Sequence, residues 1–215
     1  MSGKFLLTLC FLLVSCVSFA ASTVEKPEDI VLILQRSMQA NNAEQALKHI
    51  DINSLLNNLF DASLPRINEG MAKGEVEFIL PVAMLLGSIN SGNMVARQAA
   101  ITFLGAEAEK FVRFGVESGA FSGNIQPENT INRLDGGLFV RKEHLRSYRC
   151  AFASAELLEH RGNGAVVKTV LQIDNQRAFV PLELRLEERN GLWRIVDICN
   201  APDLVAAMLG GADTR

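Results

Sequence analysis

Histidine, tryptophan, tyrosine and cysteine are scarce in this chain: three His, one Trp, one Tyr and four Cys in 215 residues. His49, His144 and His160 are scattered and the cysteines are not clustered, so the pattern offers no structural zinc centre, and no metal or cofactor is expected. There is no P-loop and no G-x-G-x-x-G turn, and Ser122 in Gly119-Ala120-Phe121-Ser122-Gly123 stands at the wrong offset for a nucleophile elbow. An excess of basic residues is also lacking. The net charge of −3 gives no general pull toward nucleic acid or an anionic membrane. Apolar runs of membrane-spanning length are missing too, since Phe5 to Val17 and Val76 to Ile89 both fall short of the ~20 residues a helix needs to cross. The second run carries Glu77, Pro81 and Gly87 and reads as a buried helix.

What is present begins with an export signal over residues 1–20. Lys4 supplies the positive start, Phe5 to Val17 is uncharged, and Ser18-Phe19-Ala20 ends in the small-x-small pattern of a signal-peptidase site. The mature protein is expected to start at Ala21 and to be periplasmic or secreted. A lipid-anchored form is the alternative, because Leu13-Val14-Ser15-Cys16 fits a lipoprotein signal in which Cys16 becomes the lipidated first residue; only that form would be peripheral to a membrane. The apolar stretch continuing through Phe19 favours cleavage after Ala20.

Residues 21–215 read as a single α+β domain whose two parts follow different periods. From about 27 to 122 the pattern is helical. Pro27, Glu28 and Asp29 suit a first turn, and Ile30, Val31, Ile33, Leu34 and Met38 form one stripe that stops at Asn41 and Asn42. Ile52, Leu55, Leu56, Leu59, Phe60 and Leu64 make the clearest helical face. A mostly apolar helix is expected from Gly74 to Leu86, then a turn at Asn90 to Asn93, then a helix from Met94 ending among Gly115, Gly119 and Gly123, a spacing that suits close packing of a helix end. Residues 124–138 read as a connector.

From Arg149 the period becomes two. Strands are predicted at Arg149 to Glu159, Ala165 to Ile173, Ala178 to Glu188 and Leu192 to Cys199, joined by turns short enough to make an antiparallel four-stranded meander. Leu182, Leu184 and Leu186 share one face and Glu183, Arg185 and Glu187 the other, so one side is wet and the helical half covers the second. Asn200-Ala201-Pro202-Asp203 resembles a helix start with a capping side chain, which places a final short helix at about 201–209.

Candidate functional groups are few. By strand parity Asp197 shares a face with Trp193, Ile195 and Cys199, where a carboxylate among apolar groups is a candidate general base; the structural alternative is a backbone cap or a partner for an arginine. Arg141, Lys142, Arg146 and Arg149 form the basic cluster, a candidate contact for an anionic headgroup or an acidic partner, with a solvated edge as the plainer reading. Cys150 and Cys199, in the first and last predicted strands, invite a disulfide in an oxidising compartment; two free thiols are the alternative.

The run Asn190-Gly191-Leu192-Trp193-Arg194-Ile195-Val196-Asp197-Ile198 resembles the last strand of exported cone-shaped α+β proteins of the NTF2-like and cystatin-like kind. The resemblance covers the C-terminal end and extends back toward Arg149; the helical lead-in is also similar to that of periplasmic phospholipid-carrier proteins. It implies a curved antiparallel sheet packed on helices, and some NTF2-like isomerases use an aspartate in the cone. Architecture of this kind does not carry an activity. Three functional classes follow. The first is a noncatalytic exported module holding an apolar small molecule or lipid between sheet and helices, with Trp193, Ile195 and Asp197 as lining. The second is an envelope interaction or structural protein, and the third an isomerase-like or hydrolase-like enzyme using Asp197.

Overall fold

The computed structural model describes residues 25–72, 84, 87, 89, 92–140, 142–173 and 178–203. The expected signal segment with Cys16, the expected turn at 174–177, nearly all of the apolar run near 80 and most of the expected final helix lie outside them. Helices come first: α1 (Asp29–Gln39), α2 (Ala43–Lys48), α3 (Ile52–Ala72), α4 (Met94–Glu117) and α5 (Glu128–Ile131). Short 3-10 turns at Gly137–Phe139 and Lys142–Tyr148 lead into β1 (Cys150–Arg161), β2 (Gly164–Ile173), β3 (Ala178–Arg189) and β4 (Leu192–Ile198). The strands form one antiparallel sheet in the order β1-β2-β3-β4, so the expected α+β meander is what the chain adopts.

Helix α1 lies on the sheet because its apolar stripe fits there. Ile30, Val31, Leu34 and Met38 are buried against Val167, Leu182, Leu184, Leu186, Trp193 and Ile195, each fully buried aliphatic chain contributing ~1.5–3 kcal/mol. The opposite sheet face is charged, with Lys168 set between Glu156 and Glu183 in one cross-strand row. A second, smaller core joins α3 to α4 through Phe60, Ala100, Ile101, Leu104 and Ile89.

Helix α2 escapes the sequence reading. Asn41 takes a left-handed φ of 54°, and Asn42 restarts the chain by accepting the Gln45 N–H at 3.0 Å, so two residues read as a stop are a turn plus a new N-cap. Residues 49–51 then run alongside β4: Ile195 N donates to His49 O and Asp51 N to Ile195 O, both at 2.9 Å. That short parallel bridge covers the β4 edge of the sheet, and Asn58 Nδ2 adds a bond to Val196 O at 3.1 Å.

The expected Asn200 cap needs correction. Its side chain accepts the Glu183 N–H at 2.9 Å and donates to Pro181 O at 2.8 Å, so it ties the end of β4 to β3 and leaves the following turn uncapped by it.

The connector is held by one buried carboxylate on α4. Glu107, 6% exposed, accepts Lys110 Nζ at 2.8 Å and the Leu138 N–H at 2.7 Å. Lys110 and the Leu138 N–H hold the Glu107 carboxyl below its ordinary range, outweighing the effect of burial. The Gly137 N–H and Lys110 do the same for Asp135. At Asp51 burial pushes upward, but the Ser54 amide and hydroxyl and Arg189 bring the net shift below the usual value. Lowered folded values mean that the folded chain binds fewer protons than the unfolded chain near pH 4. These groups therefore contribute fully above their unfolded-state values of roughly 4 to 4.5, and their contribution drains as pH falls through the folded ones. Thermal melts should show a flat plateau from pH 7 to 6 and a falling midpoint below pH 5. Glu107→Gln should lower the pH 7 stability by about 1–3 kcal/mol, the usual worth of hydrogen bonds to a charged group, and make the acid limb shallower; an unchanged limb would remove Glu107 from this account.

Candidate functional site

The residues expected to form a ligand surface divide between the two faces of the sheet. Trp193 and Ile195 are 3% and 5% exposed on the inner face, opposite Glu188 and Leu186 of β3. The register then shifts, because Asp197 lies opposite Arg185 while Ile195 lies opposite Leu186, which leaves Val196 as an extra residue in β4. A β-bulge of one residue inverts the alternation beyond it. Asp197 consequently shares the face of Arg185, and the parity argument that grouped it with Trp193 fails at that bulge. Its Oδ2 pairs with Arg185 and its Oδ1 accepts the Ile198 N–H at 2.9 Å.

The space behind Trp193 is filled. Apart from the α1 stripe, His49 is completely buried there, with Nδ1 3.0 Å from Trp193 O and Nε2 3.3 Å from Gln45 Nε2. With a proton on Nδ1 and the Nε2 lone pair free, the ring satisfies both contacts, donating to the carbonyl and accepting from the amide. The Trp193 ring meets His160 edge-on at 5.5 Å.

Cys150 and Cys199 are both free, which corrects the expected disulfide. They sit in or just past the two outermost strands, with β2 and β3 between. Three strand spacings amount to roughly 14 Å, whereas a bridge needs Cα atoms within about 7 Å. Burial pushes the Cys150 thiol up to about 11. In the basic cluster, Lys142 and Arg146 are exposed along the second 3-10 turn and Arg149 packs over Gly123; Arg141 lies outside the described residues. No group of histidine, cysteine and carboxylate side chains fit to hold a metal occurs among the described residues.

Two open grooves stand out. One, about 450 Å³, lies on the charged sheet face and includes Arg185, Glu187 and Cys199. The other, about 440 Å³, is built where the α2–α3 corner and β4 face α4, and is lined by Leu47, Ile50, Asp51, Ile52, Asn53, Thr102, Gly105, Ala106, Glu109 and Arg194. Gly105 lies in its floor, where a Cβ would make the end of the Asn53 side chain turn aside. The acidic groups are unequally occupied: Asp51 accepts the Ser54 N–H at 3.1 Å and Arg189 at 2.8 Å, while among the described residues Glu109 has a long contact to Arg113 at 3.4 Å.

Arg194 is different from both. Its Nε is buried without a hydrogen-bond partner, and the side chain makes no ion pair among the described residues. A desolvated guanidinium N–H with no acceptor costs about 1–3 kcal/mol or more. Sequence reasoning passed over it, because alternation alone marks Arg194 as one more polar residue on a wet face. The signal lay in a long-range meeting of residues 50–53 with 102–109 that no local pattern announces. Comparison of the chain with protein-family models, curated proteins and solved structures found no match.

Proposed function

We propose that this chain is a noncatalytic exported binding module whose ligand seat is the groove between the α2–α3 corner, β4 and α4. The observation that carries this reading is Arg194, a partly buried cation lining a concave surface and making no ion pair among the described residues. A bound anion on the part of the guanidinium that faces the groove supplies the charge partner that the described residues do not. The groove volume falls within the ~300–1,000 Å³ usual for small-molecule sites, and the packing of α1 on the inner sheet face favours this outer seat over one between sheet and helices.

Arg194→Met gives the test. It should leave the fold intact and raise the thermal midpoint of the ligand-free protein by one to a few degrees, because an unpaired buried N–H is removed at little loss of volume. Native mass spectrometry of protein isolated from its own envelope fraction should show a small-molecule adduct that the variant lacks. A variant with unaltered stability and an unaltered adduct spectrum would dismiss the groove.

A second reading is favoured by the other sheet edge. Leu157 and Leu158 are exposed on β1, and among the described residues the edge amides with partners outside the sheet are those of Cys150, bonded to Phe121 O, and Phe152, bonded to Gln35 Oε1. An extended segment of a partner protein has a place to pair there, though register shifts after Phe152 and Leu157 shorten the straight stretch available.

A further inference from the structure

The groove presents charge of both signs at once, and this selects among ligands. Arg194 lines it with a guanidinium that makes no ion pair among the described residues. Glu109, its side chain 53% exposed, offers a carboxylate whose described partner is the 3.4 Å contact to Arg113. Leu47, Ile50 and Ile52 supply a short aliphatic wall, with the Asn53 amide and Thr102 beside it. A simple anion would satisfy Arg194 but would face the carboxylates of Glu109 and Asp51; a simple cation would suit Glu109 and face Arg194. We infer that the groove takes a small zwitterion of dipeptide size, its carboxylate on the Arg194 guanidinium and its ammonium toward Glu109. This inference rests on the reading of the groove as the ligand seat.

Size agrees with charge. At ~30 Å³ for each water-sized unit, a groove of about 440 Å³ that is open on one side holds roughly a dozen non-hydrogen atoms, the scale of two amino-acid residues. Guanidinium and carboxylate meet in a planar two-bond geometry that an ammonium cannot reproduce, so polarity is fixed: the carboxylate end goes to β4 and the amino end to α4. Asp51 plays no direct part, since Ser54 and Arg189 already occupy its oxygens.

Isothermal titration of the mature chain at pH 7 with three probes decides the matter: alanyl-leucine, its N-acetylated form, and its C-terminal amide. Alanyl-leucine should bind, and both blocked forms should bind at least tenfold more weakly, each having lost one charged contact of ~1.4 kcal/mol or more. Glu109→Gln should weaken alanyl-leucine about tenfold and leave the amide-blocking effect in place. Arg194→Met should abolish binding and Arg194→Lys should keep part of it, with Trp193 emission checking that each variant is folded. Equal binding of the acetylated form, or of the amide, would overturn the zwitterion inference and leave the groove as a simple anion or cation seat. No binding by any probe, with an adduct still lost from Arg194→Met, would overturn the ligand class alone; no binding and no lost adduct would overturn both.

Discussion

Replacing His49 with alanine should destabilise the protein by about 3 kcal/mol, the combined scale of a buried cavity and a stranded polar group. His49 is wholly buried and works as a joint: its ring bonds the Trp193 carbonyl and Gln45, while its own carbonyl accepts the Ile195 N–H. Alanine keeps the backbone link but leaves Trp193 O without its donor and opens a hole beside the largest inner-face ring. His49→Phe separates the two effects, since it refills the space without restoring a donor, and should recover only part of the loss. The chain has one tryptophan, so denaturant unfolding followed by Trp193 emission reports on the joint directly. A midpoint for His49→Ala indistinguishable from the parent protein would show that the imidazole does not contribute and that β4 is held by the backbone bridge and packing.

Gly119→Ala should cost about 3 kcal/mol as well, for a different reason. Gly119 ends α4 with a φ of 73°, and a Cβ there would collide with the Asn124 carbonyl, which is backbone and cannot rotate away. Gly191 is the control. It has nearly the same φ, 74°, in the β3–β4 turn, yet nothing lies within 4 Å of its missing Cβ. Gly191→Ala therefore bears only the conformational penalty of about 1 kcal/mol. If the two substitutions cost the same, the close approach of residue 124 to the end of α4 is not a feature of the folded protein.

That comparison also shows what the sequence could reveal. Gly115, Gly119 and Gly123 mark a tight helix end, and Asn190-Gly191 marks a hairpin, because each acts through its own neighbours in the chain. The four strands and the α1 stripe were readable for the same reason: Leu182, Leu184 and Leu186 declare a face by spacing alone. Beyond local spacing the reading failed wherever one residue altered the count or a contact crossed the chain. The extra residue at Val196 turned Asp197 onto the charged face, buried beside Arg185. The Asn200 side chain reached across to β3. Cys150 and Cys199 shared a sheet without being neighbours in it, because a four-strand meander keeps its first and last members furthest apart. Arg194 acquired its setting only when the α2–α3 corner and α4 came together beside β4.

The bridge between residues 49–51 and β4 has a kinetic consequence. Its two halves are separated by most of the chain, so the N-terminal helices cannot acquire their full support until the last strand has been synthesised. Long loop closures of this kind slow folding, and a nascent chain halted before Leu192 would carry Ile30, Val31 and Leu34 without the Trp193 and Ile195 surface they pack against. Premature termination inside the final strand should thus yield a protease-sensitive polypeptide even though only about a tenth of the chain is missing.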